Sequence, residues 1–134
     1  MYLDTKENGD YLQRELVSGL VNLLKTTFEN SYVGLIREDN AEAPVSRVAF
    51  GTVNQTSDAD FWYFRNASDI VFERATTDVA PYTNRIRDIT LFTSATGGNK
   101  IISIVLDVPR VYLTGDRIII PAGAFEIKMP KLIP

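Results

Sequence analysis

Acidic residues in the middle of the chain are the first candidates for chemistry. Asp58 and Asp60 lie two residues apart, and Asp69 follows nearby. Carboxylate oxygens are the ligands that calcium prefers, but these residues lack the ligand periodicity of an EF-hand loop. The alternative is that they are solvated turn residues, and it applies equally to the acidic loop residues Glu38, Asp39 and Glu42. We therefore predict no metal site and no cofactor.

Catalysis is restricted by two residue types that do not occur. The sequence contains no histidine, which removes the commonest general base and the usual nucleophile–histidine–acid triad. It contains no cysteine, which excludes thiol catalysis, disulfides and cysteine-ligated zinc. Carboxylate or lysine chemistry stays open, although a glycosidase needs two carboxylates across a cleft and the sequence alone cannot place such a pair. We predict that the protein is not an enzyme and has no catalytic residues.

Four consecutive aromatic residues, Phe61 to Phe64, form the aromatic peak of the chain. Aromatic rings stack on the apolar faces of sugars, so this segment could bind a host glycan. Alternate residues of a strand point to opposite faces, however, so only two of the four rings share a surface. Core packing or a subunit interface is the other interpretation. Trp62 and Tyr63 are accordingly candidates for contact with a partner.

The charge balance and the hydropathy indicate which classes of partner the protein is suited to bind. The chain has 14 basic and 17 acidic residues and a net charge of −3. Nucleic-acid-binding domains usually carry a basic footprint, so we predict no nucleic-acid partner. The apolar runs are far shorter than the roughly 20 residues that span a bilayer, so we predict no membrane association. Met1–Glu7 is acidic where a signal peptide is basic, and we expect a soluble protein made in a cytoplasm.

One segment has the period of an amphipathic helix. Asp10 and Gln13 form an acid-type capping box, which predicts a helix over residues 11–28. Eight apolar residues lie on one side of this helix: Leu12, Leu16, Leu20, Leu23 and Leu24, with Val17, Val21 and Phe28 widening the face. Two interpretations stay open, because such a face either covers a sheet or docks onto a partner subunit.

After Asn30 the sequence consists of short apolar runs separated by turn residues. Thr96–Asn99 is a strong tight-turn signal, and apolar and charged residues alternate over Phe125–Met129. Seven or eight strands, spaced by about 8–12 residues, predict a mainly β fold, an antiparallel β-sandwich of jelly-roll type with one N-terminal helix. The length of 134 residues favours one domain, 11–129, between an N-terminal arm, 1–10, and a C-terminal tail, 130–134. The predicted core includes Ile89, Leu91, Ile120, Phe125 and Ile127.

The order and spacing of several segments resemble a family of small tailed-phage virion proteins. These proteins are usually described as tail fibre or minor tail proteins. The segments are Ile89–Asn99 with its Thr-Gly-Gly turn, the Gly-Asp turn at Gly115–Asp116, and the Pro-Ala-Gly strand at Ile120–Ala124. The resemblance covers most of Leu12 to Met129. Asp78–Arg85 departs from the resemblance, since this segment is more polar than the tryptophan-containing segment that usually precedes the Ile89 strand in the family.

The resemblance implies a non-enzymatic structural component of a tailed-phage virion, made in the bacterial host and acting by protein–protein assembly. It implies other virion proteins as partners and a homo-oligomer, with a trimer favoured. A capsid decoration or cement protein, or a module that binds host carbohydrate, is the alternative. The partner-interface candidates are Leu12, Leu16, Leu20, Leu24, Trp62, Tyr63, Leu132 and Ile133.

Overall fold

The N-terminal part of the fold is a single helix. The computed structural model describes residues 9–131, with helix side chains given for Leu16 and from Ser18 onward. Helix α1 spans Gly9–Glu29, close to the predicted 11–28, and Asp10 lies inside it rather than at its N-cap. An acidic residue in a first helical turn still favours the helix, because the N-terminal end of the helix dipole is positive. In the part of the chain that the structure describes, no helix combines the length and apolarity needed to cross a membrane.

In the described residues nine strands follow α1, and they pair with one another only in antiparallel fashion. The strands are β1 Tyr32–Arg37, β2 Val48–Ala49, β3 Val53–Ser57, β4 Phe61–Asn66, β5 Ile70–Val71, β6 Ile86–Phe92, β7 Lys100–Arg110, β8 Ile119–Ile120 and β9 Glu126–Pro130. They form a four-stranded sheet in the order β2-β1-β6-β7, a three-stranded sheet β3-β4-β9 and a two-stranded sheet β5-β8. The predicted mainly β, antiparallel class with one helix is confirmed, while the jelly-roll order stays a prediction.

The structure departs from the strand pattern of the sequence in two places. The apolar run from Val45 to Val53, interrupted by Gly51, predicts one bent strand, but it contributes to two different sheets, and the apolar run Val111–Leu113 predicts another strand. Gly51 lies between β2 and β3 with a φ of 79°, a left-handed conformation that glycine adopts without steric cost, and there the chain passes from one sheet to the other. Val111–Leu113 is not a strand, since Tyr112 makes only an isolated bridge to Ala80.

The core follows the alternation that the sequence shows. Leu91, Phe125 and Ile127 are buried, and so is Ile120 at the β8 end, which confirms four of the five predicted core positions. Ile89 is half-buried, because it lines an open groove between β6, β7 and β8. The core contains edge-to-face aromatic pairs, Phe28 with Phe64 and Phe50 with Phe125, at centroid distances of 5.3 and 5.2 Å.

A buried asparagine joins the end of β4 to the turn before β9. Asn66 is 1 % exposed, and its Nδ2 donates to the carbonyl oxygens of Ser68 (2.9 Å) and Pro121 (3.0 Å). Its Oδ1 accepts the backbone N–H of Phe125 at 2.9 Å. Its own carbonyl oxygen accepts the N–H of Gly123 at 2.8 Å. These bonds hold the Pro-Ala-Gly segment against β4, and we call this region the Asn66 junction.

Candidate assembly surfaces

The apolar face of α1 divides into two halves with different surroundings. At 100° per residue, Val21, Leu24 and Phe28 form one side of this face, and they pack against the core. Leu16, Leu20 and Leu23 form the other side, and 68 %, 39 % and 63 % of their surface is exposed. We call these three residues the α1 stripe. One half of the face therefore packs against the core, as the first interpretation predicts, and the docking of the exposed half onto a partner stays a prediction.

The predicted interface residues on α1 and in the tail differ in exposure, and some of them lie outside the described residues. Leu16 and Leu20 belong to the exposed α1 stripe, whereas Leu24 is half-buried against the core. The side chain of Leu12 lies outside the described residues, as do Leu132 and Ile133. Leu23 belongs to the predicted apolar face but not to the predicted interface candidates, and the structure exposes it beside Leu20. Its spacing of three residues from Leu20 is the sequence signal that places both side chains on one side of the helix.

The two aromatic candidates on β4 point in opposite directions. Trp62 is 7 % exposed and lies in the core, so the structure removes it from the candidate partner surface. Tyr63 lies on the outer side with Phe61, and both rings are half-buried. The guanidinium of Arg65 is 4.8 Å from the centre of the Tyr63 ring, and Lys128 Nζ is 4.0 Å from that of Phe61. Cations therefore already cover ring surface that a sugar would need.

The acidic candidates are engaged in turns. Asp58 accepts hydrogen bonds from the Tyr63 hydroxyl and from the backbone N–H groups of Asp60 and Phe61. These bonds, that of Tyr63 above all, lower the pKa of Asp58 to about 2. Asp69 accepts the N–H of Ala122 at 2.9 Å. These contacts are those of turn residues, and the described residues contain no cluster of three or more acidic side chains able to hold a metal ion.

A shallow depression beside the β6–β7 turn contains an arginine whose hydrogen bonds are all internal. Arg47 binds both carboxylate oxygens of Glu42 at 2.8 Å. It also donates to the carbonyl oxygens of Ser94 and Gly97, at 2.9 and 2.7 Å, and its guanidinium lies 3.5 Å from the centre of the Phe92 ring. The hydrogen bonds and charge of Glu42 raise the pKa of Arg47. Arg47 thus fastens the turn to the preceding loop and has little capacity left for a ligand.

A larger groove runs between β6, the C-terminal half of β7, and β8. Its volume is about 1150 Å³. Half-buried Ile89, Leu106 and Ile118 form part of its apolar lining, together with the more exposed Val108 and Ile119. Sequence reasoning missed this groove, because its walls come from segments that are far apart in the chain and meet only in the fold.

Comparison with known proteins identifies a family for this chain. The family model of podophage GP4 fiber I protein gp80 matches residues 11–128, which is most of the sequence. No curated protein and no solved structure matches the chain. The predicted resemblance to tailed-phage fibre proteins is confirmed at the level of the family, and the chain is a virion component that associates with other virion proteins.

Proposed function

We propose that this chain, which belongs to the podophage GP4 fiber I protein gp80 family, is a non-enzymatic structural subunit of a phage tail fibre that assembles through helix α1. The observation that carries the proposal is the exposed α1 stripe. Leu16, Leu20 and Leu23 face solvent although the adjacent half of the same apolar face is packed against the core.

The energy available from the α1 stripe is large enough to matter for assembly. Burying a leucine side chain is worth about 1.5–3 kcal/mol, so covering the exposed parts of these three leucines recovers about 3–5 kcal/mol per copy. No charged residue interrupts the helix from Leu16 to Leu24. A partner that covers the stripe therefore does not have to desolvate a charge there, which is a large cost in interfaces.

The spacing of the α1 stripe fits other copies of the same helix. Leu16, Leu20 and Leu23 are separated by four and then three residues, which is the spacing of the a and d positions in a coiled coil. Helices with this spacing pack side by side, and every copy contributes the same stripe. We propose a homo-oligomer with closed symmetry, because a closed ring leaves no stripe uncovered. The trimer is the form that the resemblance to phage tail fibre proteins favours.

A capsid decoration protein would use the same stripe, but the fibre description of the family favours the tail. The host-glycan alternative is less well supported. Trp62 is in the core, and cations lie over the rings of Phe61 and Tyr63.

The test replaces the α1 stripe without touching the core. In the variant Leu16→Gln/Leu20→Gln/Leu23→Gln the oligomer is expected to dissociate, while the circular-dichroism spectrum stays that of the natural chain. Glutamine is nearly as good a helix former as leucine, so the helix itself is preserved. The matched control, Ser18→Gln/Asn22→Gln, changes exposed residues on the opposite side of α1 and should keep the native mass in sedimentation. An unchanged mass for the triple variant would contradict the proposal.

A further inference from the structure

One outer strand of the fold differs from the others in length and composition. The outer strands β2, β5 and β8 have two residues each, and β3 is mostly polar. β9 carries Glu126 and Lys128 and ends at Pro130. Short length, charged side chains and proline are the usual means by which proteins protect the edge of a sheet. β7 has eleven residues, and its segment Ile101–Leu106 contains no charged residue, proline or glycine.

The outer side of β7 offers backbone groups to a further strand. β7 is the outermost strand of the four-stranded sheet, with β6 on its inner side. Among the described residues, no backbone hydrogen bond outside the strand ladders involves Ile101–Leu106. Five of these six residues are apolar, and four of the five are β-branched, a composition that favours pairing with another strand. An exposed edge of this kind binds an extended segment through backbone hydrogen bonds.

Irregularities at both ends limit the part of β7 that a further strand can use. β7 pairs residue by residue with β6 over Ile102–Val105, and the register between the two strands shifts on either side of this stretch. Further along, Pro109 has no N–H to donate. The regular edge is therefore Ile102–Val105, with Ile101 and Leu106 flanking it.

We propose that the edge of β7 pairs in antiparallel fashion with the same edge of a second copy, about a two-fold axis at Ser103. This isologous contact places Ser103 opposite Ser103 of the second copy and Ile102 opposite Ile104. It also places Ile101 opposite Val105. Opposed β-branched side chains stabilise an antiparallel ladder, and a two-fold axis perpendicular to the sheet keeps the core-side row of both copies on the same face.

The sequence of β7 favours this register over the neighbouring ones. A two-fold axis at Val105 would place Lys100 opposite Arg110, and like charges directly opposite each other are destabilising. An axis one residue to either side of Ser103 would place the Ser103 hydroxyl opposite an apolar side chain. An axis at Ser103 pairs hydroxyl with hydroxyl and apolar with apolar, and it places no two charged residues opposite each other. The edge is thus complementary to itself, which favours a second copy as its partner.

This contact is separate from the α1 stripe. α1 contacts β3 of the three-stranded sheet, whereas β7 is the outer strand of the four-stranded sheet. Sedimentation of the glutamine variants reports on α1, and thiols introduced on β7 report on the edge. Either proposal can therefore fail while the other stands.

Cysteine variants of the full-length chain test the register, because the sequence contains no cysteine of its own. Opposite residues of an antiparallel pair have Cα atoms about 4.5–5.5 Å apart, which a disulfide can bridge. Ser103→Cys should therefore form disulfide-linked dimers under mild oxidation. The matched control is Val105→Cys, which is exposed on the same face of β7 but would lie about 14 Å from its equivalent in the second copy. We expect at least about tenfold more dimer from Ser103→Cys than from Val105→Cys, and dimers from mixed Ile101→Cys and Val105→Cys chains.

Charges at the centre of the edge provide a second arm. Ser103→Lys in both the Ile101→Cys and the Val105→Cys chains places two lysines opposite each other and should lower the yield of mixed dimers at least about tenfold. Ser103→Glu in place of Ser103→Lys in one of the two chains should restore the yield, which also shows that these variants are folded.

Three results would overturn the proposal. The first is an equal yield of dimers from Ser103→Cys and Val105→Cys, or a loss of mixed dimers that opposite charges do not restore. The second is a Ser103→Cys thiol that reacts with a maleimide in the assembled protein and forms no dimer. The third is a Ser103→Cys thiol that is shielded from the maleimide and still forms no dimer, since a strand of a different protein would then cover β7.

Discussion

The Asn66 junction and the α1 stripe differ in which side chains are buried: the junction buries a polar side chain, whereas the stripe exposes apolar ones. At the junction a polar side chain is buried, and both its amide nitrogen and its oxygen are hydrogen-bonded. On α1 three leucines are exposed, and the described part of the chain does not cover them. A buried polar group is tolerated only when it is paired, and the side chain of Asn66 meets that requirement with both its nitrogen and its oxygen. The open leucines are therefore not a sign of a poorly packed domain, and in the assembly that we propose a neighbouring copy covers them.

The largest expected difference in stability is between truncating a side chain in the core and truncating one in the α1 stripe. Phe125 is 2 % exposed and packs edge-to-face on Phe50, so Phe125→Ala should lower the free energy of unfolding by about 3–5 kcal/mol. Leu16→Ala, at 68 % exposure, should change the stability of the dissociated subunit by less than about 0.5 kcal/mol. Urea unfolding measures both values. If the two variants lost similar free energies of unfolding, the α1 stripe would be as tightly packed as the core, and the distinction between the two regions would be wrong.

Comparing a buried with an exposed asparagine measures how much the Asn66 junction stabilises the fold. Asn66→Ala leaves the buried Phe125 N–H without its partner, which costs about 1–3 kcal/mol, and it also removes the Nδ2 hydrogen bonds to the carbonyl oxygens of Ser68 and Pro121. We expect a loss of about 2–3 kcal/mol. Asn54→Ala, on an exposed position of β3, is the matched control and should stay within about 0.5 kcal/mol. If both variants unfold at the same urea concentration, Asn66 does not hold β4 to the Pro-Ala-Gly segment.

A smaller effect concerns the turn before β4. The pKa of Asp58 is about 2 in the folded protein, against about 3.9 for aspartate in an unfolded chain. The stabilisation from its ionised form is complete above about pH 4 and is lost as the pH falls toward 2. Asp58→Asn should therefore be less stable than the natural chain at neutral pH, with the difference shrinking between pH 4 and pH 2. Thermal unfolding across this range checks the sign, and a gap that widens in acid would contradict it.

Local patterns in the sequence were sufficient for much of the fold. The alternation over Phe125–Met129 appears as predicted. Gly97 and Gly98 reverse the chain between β6 and β7 with positive φ, but they lie in a longer connection over residues 93–99 rather than in the predicted tight turn. Asn66 also carried a signal, because it is in phase with the buried Trp62 and Phe64 on β4. A polar residue in phase with core residues indicates a buried hydrogen-bonding role, and sequence reasoning did not draw that conclusion.

The surfaces were harder to predict for a physical reason. Helical spacing gave the whole apolar face of α1, but the angle at which the sheet meets the helix decides which half is covered. That angle depends on contacts such as Phe28 against Phe64, between residues that are distant in sequence. The groove depends in the same way on how β8 lies against β6 and β7. Spacing along the chain contains no information about either arrangement.

Neighbouring copies that cover the α1 stripe would bring its equivalent residues together, and a single introduced thiol tests this contact. Leu20→Cys lies in the middle of the stripe in a chain without other cysteines, and Ser18→Cys lies on the opposite side of the helix. A disulfide needs Cα atoms about 4.4–6.8 Å apart, which equivalent positions of packed helices can provide. In oxidised, assembled fibres we expect covalent dimers for Leu20→Cys and monomers for Ser18→Cys. Leu20→Cys chains that stay monomeric, with thiols that still react with a maleimide in the assembled fibre, would contradict it.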